Sequence, residues 1–321
     1  MIRTLVAIAH WVHNGDNDKP TPIRREDLQE PPDFWQRTHG RSRDAGLYRL
    51  LARDQSQRTK MLLTTLSFVS SWPSNTSILL VSNAHVPEAV GYVSKQVIAE
   101  RPKCSLGPRP YYHNWCLPWE ALRVLCSHGN DRPCNQGPGL LKYDVFVYLE
   151  DDVFVSGDAF EFWRVHADDL YRRGIFLVPH CRVDFNGTRY IDPWDFPCEL
   201  VKSFELALGG AQGVQTFFHF PWMNGRGFLM TKAQFSDYIE SGDWDRLQSC
   251  FSDKFWGMRE GAYMAPLIRR SIGSVVSHQR LTVLHADAGH YTKLPHFVIK
   301  SNRIPRCSAS GLEKHLGLPS L

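Results

Sequence analysis

The sequence predicts an α/β fold: a mostly parallel central sheet flanked by helices, in a single domain with long loops. Two observations predict it. Short aliphatic runs bounded by polar or Gly residues recur along the chain, the pattern of strands buried on both faces. Between the first two runs lies a stretch with helical spacing, and strand, helix, strand in that order implies a parallel pair joined by a right-handed crossover. The length of 321 residues suits one large domain, and 43% hydrophobic with 22% charged residues is an ordinary globular balance. A net charge of +4 is too mild to argue for a nucleic-acid partner, although a modest basic excess suits a phosphorylated ligand. No window approaches the roughly 18 uninterrupted apolar residues of a membrane span, and the opening Met1–His10 is too short for a signal-peptide core.

Leu5 to Ala9 reads as the first buried strand. From about Asn14 to Asp44 the chain is rich in Pro, Asp and Arg without a sustained period, which predicts a flexible loop or lid over 14–45. Leu47, Leu50, Leu51, Met61, Leu62, Leu66 and Val69 then recur at helical spacing until Pro73 stops the pattern. Ser77 to Asn83 is a second buried strand. Sheets of this kind bind ligands beyond the carboxyl ends of their strands, where His10 and Asn83 fall.

The stretch from Arg101 to Gly139 is broken by Pro, Gly and Cys, apart from a short helical pattern around Trp119 to Cys126. Tyr143 to Leu149 is a strand dense in β-branched and aromatic residues, as expected in mid-sheet. After it, Phe154–Arg173 reads as a helix, Ile175–Val178 as a strand, Gly227–Met230 as a strand and Gln234–Ser241 as a helix. Tyr263–Ile272 has helical spacing, and Leu281–Leu284 reads as a late strand. No internal repeat or low-complexity tract is present.

The chain has 8 cysteines and no C-x-x-C, which fits either free thiols in the cytosol or bridges in a secretory lumen. The sequons Asn75-Thr76-Ser77 and Asn186-Gly187-Thr188 would matter only in that lumen. His113, Cys116, Cys126, His128 and Cys134 are residue types that zinc accepts, but their spacing matches no zinc-finger pattern; packed thiols or a local disulfide is the other reading.

Glu150, Asp151 and Asp152 directly follow the third strong strand. Adjacent acids beside a core repel one another and lose hydration, so something positive should offset them. Mg²⁺ or Mn²⁺ does so through carboxylate oxygens and keeps coordination positions free for substrate phosphates. A solvated turn whose acids cap the next helix is the other reading, against which the apolar residues on both flanks weigh.

The run Tyr143-Asp144-Val145-Phe146-Val147-Tyr148-Leu149-Glu150-Asp151-Asp152-Val153 resembles the aspartate motif of GT-A-fold, nucleotide-sugar-dependent glycosyltransferases, in its Glu-Asp-Asp form. Further similar elements follow in order. Trp222 to Met230 resembles the glycine-containing loop and strand beside the transferred sugar in that superfamily, and Gly257 to Ala262 is similar to the helix start that carries its acceptor-activating acid. Leu281 to Asp287 resembles the late strand whose terminal histidine completes the metal site. The second region departs from the pattern, since Glu260 stands beside Arg259 where two acids are usual.

The resemblance implies a GT-A-like, Rossmann-like domain over 1–305 with a C-terminal tail at 306–321. It implies Mn²⁺ or Mg²⁺ held by Asp152, Glu150 and His285, with His290 as the alternative ligand. Donor contacts fall to His10, Asn83, Asp151, Gly225 and Gly227, the two glycines letting backbone approach the ligand. Glu260 is the expected base. Trp194 and Trp222 lie in Pro-bounded loops where an indole can stack on a sugar ring, with Asn224 and Arg259 beside the acceptor. The implied partners are a UDP- or GDP-sugar and a glycan or other hydroxyl acceptor. A nucleotidyltransferase is the alternative enzyme, although Ala9 to His13 is not the Gly- and Lys/Arg-rich loop it would need; a glycosidase needs carboxylates across a cleft. A non-catalytic carbohydrate-binding protein is the alternative outside enzymes. The expected location is the cytoplasm if the chain is complete, or the Golgi lumen if it is a catalytic domain trimmed of an anchor.

Overall fold

The computed structural model describes residues 1–12, 55–100, 103–105, 110–112, 117–151, 153–173, 175–177, 180–185, 188–191, 202–208, 213–220, 227–240, 274–277 and 282–285. The expected lid at 14–45, the helix at Tyr263–Ile272 and the tail at 306–321 lie outside these residues, as does the expected helical stretch before Gln55.

The strands are β1 (Arg3–His10), β2 (Asn75–Ser82), β3 (Lys95–Ile98), β4 (Lys103–Ser105), β5 (Pro110–Tyr112), β6 (Val145–Glu150), β7 (Val153–Phe154), β8 (Phe176–Leu177), β9 (His180–Phe185), β10 (Thr188–Ile191), β11 (Lys202–Ala207), β12 (Val214–Phe220), β13 (Gly227–Thr231), β14 (Ser274–Ser277) and β15 (Thr282–His285). The helices are α1 (Gln55–Ser70), α2 (Leu117–Gly129), α3 (Gly157–Arg172) and α4 (Lys232–Glu240).

The central sheet has the order β13-β6-β1-β2-β3. β6, β1, β2 and β3 run parallel, and β13 closes the β6 edge antiparallel. This is the mostly parallel α/β sheet that the aliphatic runs predict. β1 is buried from Thr4 to His10 and β6 from Val145 to Leu149, because helices cover the sheet and leave no solvated face for alternation. Each such aliphatic side chain contributes about 1.5–3 kcal/mol on burial, which is why runs this short hold mid-sheet positions.

On α1, Leu62, Leu66 and Val69 are fully buried at i, i+4 and i+7. α2 packs on β1, β2 and β6, and α4 packs on β13 and β6, where Phe235 stacks on Phe146 with ring centroids 4.0 Å apart. α3 starts at Gly157, three residues later than the sequence pattern suggests. Ser156 is its N-cap, accepting from the Ala159 N–H at 3.2 Å, while Val153 and Phe154 pair as β7 instead. Two indoles lock the helices to neighbouring chain: Trp72 Nε1 donates to the Val155 carbonyl at 3.0 Å and Trp163 Nε1 to the Leu177 carbonyl at 3.1 Å.

Smaller sheets complete the fold, in the orders β10-β9-β15-β7, β11-β12-β14-β8 and β4-β5. Cys126 at the end of α2 and Cys134 form a disulfide with Cα atoms 6.1 Å apart, so the local-disulfide reading holds for these two residues. Among the described residues, no helix is long and apolar enough to cross a membrane.

Candidate active site

The acid turn stands at the carboxyl end of β6, beside the carboxyl end of β1. Ala9 pairs with Glu150 across the β1–β6 ladder, and His10 pairs with Ser82 across the β1–β2 ladder. The ends of three parallel strands therefore bring His10, Asn83 and the first two acids to one edge of the sheet. Such an edge is where open parallel sheets take ligands.

Glu150 and Asp151 are not equivalent. Glu150 ends β6 partly exposed, whereas the Asp151 side chain is only 5% exposed. The Asp151 carboxylate pairs with His10 Nδ1, and Arg58 Nη2 donates to its two oxygens at 3.0 and 3.1 Å. Thr65 Oγ1 donates to the Asp151 backbone carbonyl at 2.8 Å. The positive charge that adjacent acids require is thus supplied in part by the protein itself, through α1. Asp152 lies outside the described residues. The acids do not cap the following helix, a role that Ser156 fills.

Asn83 is 8% exposed and braces the chain beyond β1: its Oδ1 accepts from the Val12 N–H at 2.7 Å and its Nδ2 donates to the Val12 carbonyl at 2.8 Å. Its amide is therefore engaged with backbone. Next to this brace, His10 Nε2 and the Trp11 indole N–H are buried with no hydrogen-bond partner among the described residues. Buried polar atoms are normally satisfied, so two orphans on consecutive residues at a ligand-binding edge fit a bound polar group.

The late strand reaches the acid turn from the other side. β15 pairs antiparallel with β7, and His285 stands opposite Val153, the residue that follows Asp152 in the chain. Gly227 begins β13 opposite Leu149. A Cβ there would meet the Tyr148 carbonyl oxygen at 2.9 Å and Leu149 Cδ2 at 2.7 Å, so close strand packing already demands a glycine at this position.

Glu260, Arg259, Trp194, Trp222, Asn224, Gly225 and His290 lie outside the described residues. Among the described residues, no three His, Cys, Asp or Glu side chains are grouped to hold a metal ion. Arg58 and Thr65 were not singled out by motif, yet the sequence carries a signal for them. They fall at i−4 and i+3 from Leu62, which puts two polar residues on the buried face of α1.

No known family profile matches the chain, and no curated protein matches it. Among solved structures, it is similar to a crystal structure of S. aureus TarS 1-349, with a TM-score of 0.41 and 7% identity over 91% of this chain and 63% of that one. The longer S. aureus TarS structure gives a TM-score of 0.41 and 6% identity, over 91% of this chain and 38% of the other. The chain thus spans less than two thirds of either structure, and superposition at that level does not establish kinship.

Proposed function

We propose that the protein is a metal-dependent glycosyltransferase that moves a sugar from a nucleoside-diphosphate sugar to a hydroxyl acceptor. One observation carries the reading: the acid turn at the end of β6 has the β1 terminus on one side and, on the other, a strand whose final His285 stands opposite Val153. That order of elements is the one the Glu-Asp-Asp resemblance implies.

Glu150, Asp152 and His285 are the residues that would hold Mn²⁺ or Mg²⁺. Carboxylate oxygens and an imidazole suit such an ion, and the pairing of Asp151 with Arg58 removes one of the charges that would otherwise crowd the turn. When bound, the cation offsets negative charge growing on the departing diphosphate. His10 Nε2 and Trp11 Nε1, buried and without partners among the described residues, would hydrogen-bond the donor at the end of β1. Asn83 holds that segment in place through Val12. Glu260 would take the acceptor proton, and Trp194, Trp222, Asn224 and Arg259 would form the acceptor side with Gly225 beside the donor sugar. A disulfide at Cys126–Cys134 and an exposed Asn75 in a sequon support an oxidising secretory compartment over the cytosol.

Donor hydrolysis tests this without knowledge of the acceptor. A panel of UDP- and GDP-sugars is incubated with the protein and Mn²⁺, and free nucleoside diphosphate is measured. At least one donor should be consumed above background, and Asp152→Ala should abolish the release. Once an acceptor is found, Glu260→Gln should slow transfer by about 10²–10⁴-fold if Glu260 is the base. Equal turnover by the Asp152→Ala variant would sink the metal assignment.

A further inference from the structure

We infer that Asp151 is the inward anchor of the acid turn rather than a ligand of metal or ribose, and that Arg58, His10 and Thr65 are positioning residues that act through it. The inference rests on the proposed cation site and names what holds that site in shape.

Residue 151 is pinned at both of its polar ends. Its carboxylate has two oxygens, one taken by Arg58 and the other by Arg58 and His10, and its backbone carbonyl is taken by Thr65. Little acceptor capacity is left on that carboxylate for a ligand. The flanking residues are equally constrained, since Glu150 is the last residue of β6 and Val153 the first of β7. A residue bolted to β1 and α1 directly after the end of β6 has few ways to reorient. Glu150, the residue before it in the chain, inherits that rigidity. Partners that orient metal ligands in this way typically matter for affinity by about 10–100-fold.

The bland alternative is an ion pair that only stabilises the fold. The two differ in sign as well as size. Deleting the positive charge of Arg58 close to a cation site should strengthen cation binding by simple electrostatics, so weaker binding would report lost geometry.

The test titrates Mn²⁺ alone into the full chain, reading free ion by electron paramagnetic resonance at a temperature where circular dichroism shows each variant folded. Arg58→Gln and Thr65→Val should each weaken Mn²⁺ binding by about 10–100-fold. Arg58→Lys, which keeps a charged donor toward Asp151, should recover most of the loss. If Arg58→Gln does not fold, Thr65→Val carries the test, because it deletes one hydroxyl and no charge. A folded Arg58→Gln or Thr65→Val variant that binds Mn²⁺ as tightly as the unmodified chain overturns the inference. Absence of Mn²⁺ binding by the unmodified chain is a different result, which removes the cation site and the inference together.

Discussion

At the acid turn, a carboxylate 5% exposed is tolerated only because a guanidinium and an imidazole meet it. Removing one partner strands the charge. Arg58→Met should therefore lower unfolding stability by about 3–5 kcal/mol in urea titrations, far more than a surface arginine would. A loss well under 1 kcal/mol would mean that His10 alone satisfies Asp151. Gly227 makes the opposite kind of demand, for space. Gly227→Ala would press a methyl against the Tyr148 carbonyl and Leu149, and overpacking of this type costs about 1–3 kcal/mol, visible as a fall in Tm. The resemblance alone gave this glycine a role beside the donor. Its packing against β6 is a constraint that no single-sequence motif reveals, because the contact joins residues far apart in the chain.

Among the elements, those with a strong local pattern were legible and those defined by partners were not. β1, β2 and β6 read as strands because aliphatic burial on both faces leaves an unbroken apolar run. β9 and β10 carry a local hairpin signal, Asn186-Gly187 between two runs, but the same residues also spell a sequon, and neither run is aliphatic enough to read as a buried strand. α1 was legible by its leucines, but the meaning of Arg58 and Thr65 on its buried face needed Asp151 to be placed against them. On α3, Glu161 and Arg164 form a half-buried pair, and hydrogen bonding from Arg164 holds the Glu161 carboxyl below its ordinary pKa of 4.5. A depressed carboxyl pKa stabilises above its unfolded value, and that contribution is lost as pH falls through the folded one. Glu161→Gln should therefore lower Tm slightly at neutral pH, with the difference shrinking as pH falls below 4.5 and through the depressed folded-state value, where the carboxyl becomes protonated in both states. A difference that does not shrink as pH falls would point to packing instead.

Across the whole molecule, the α/β sheet followed from patterning, while the site was legible only in part. The acid triplet announced charge that must be offset, and its position after a buried strand put that charge at the carboxyl edge of the sheet. What the triplet could not disclose is that Asp151 is tied to α1, since one turn of sequence does not say which carboxylate meets that helix. The disulfide belongs to this scale as well. Closing a short loop at the end of α2, it should contribute about 2–3 kcal/mol, so reduction should lower Tm in a way that Cys126→Ser/Cys134→Ser reproduces and reductant no longer deepens.

The most direct measurement is a thermal-shift panel of nucleotides and nucleotide-sugars with and without Mn²⁺. A ligand at about 100 times its dissociation constant stabilises by about 2.7 kcal/mol, a shift that such an assay resolves. The account predicts a shift with a UDP- or GDP-linked ligand that requires Mn²⁺ and disappears in Asp152→Ala while that variant stays folded. No Mn²⁺-dependent shift with any nucleotide, or an undiminished shift in Asp152→Ala, would contradict it.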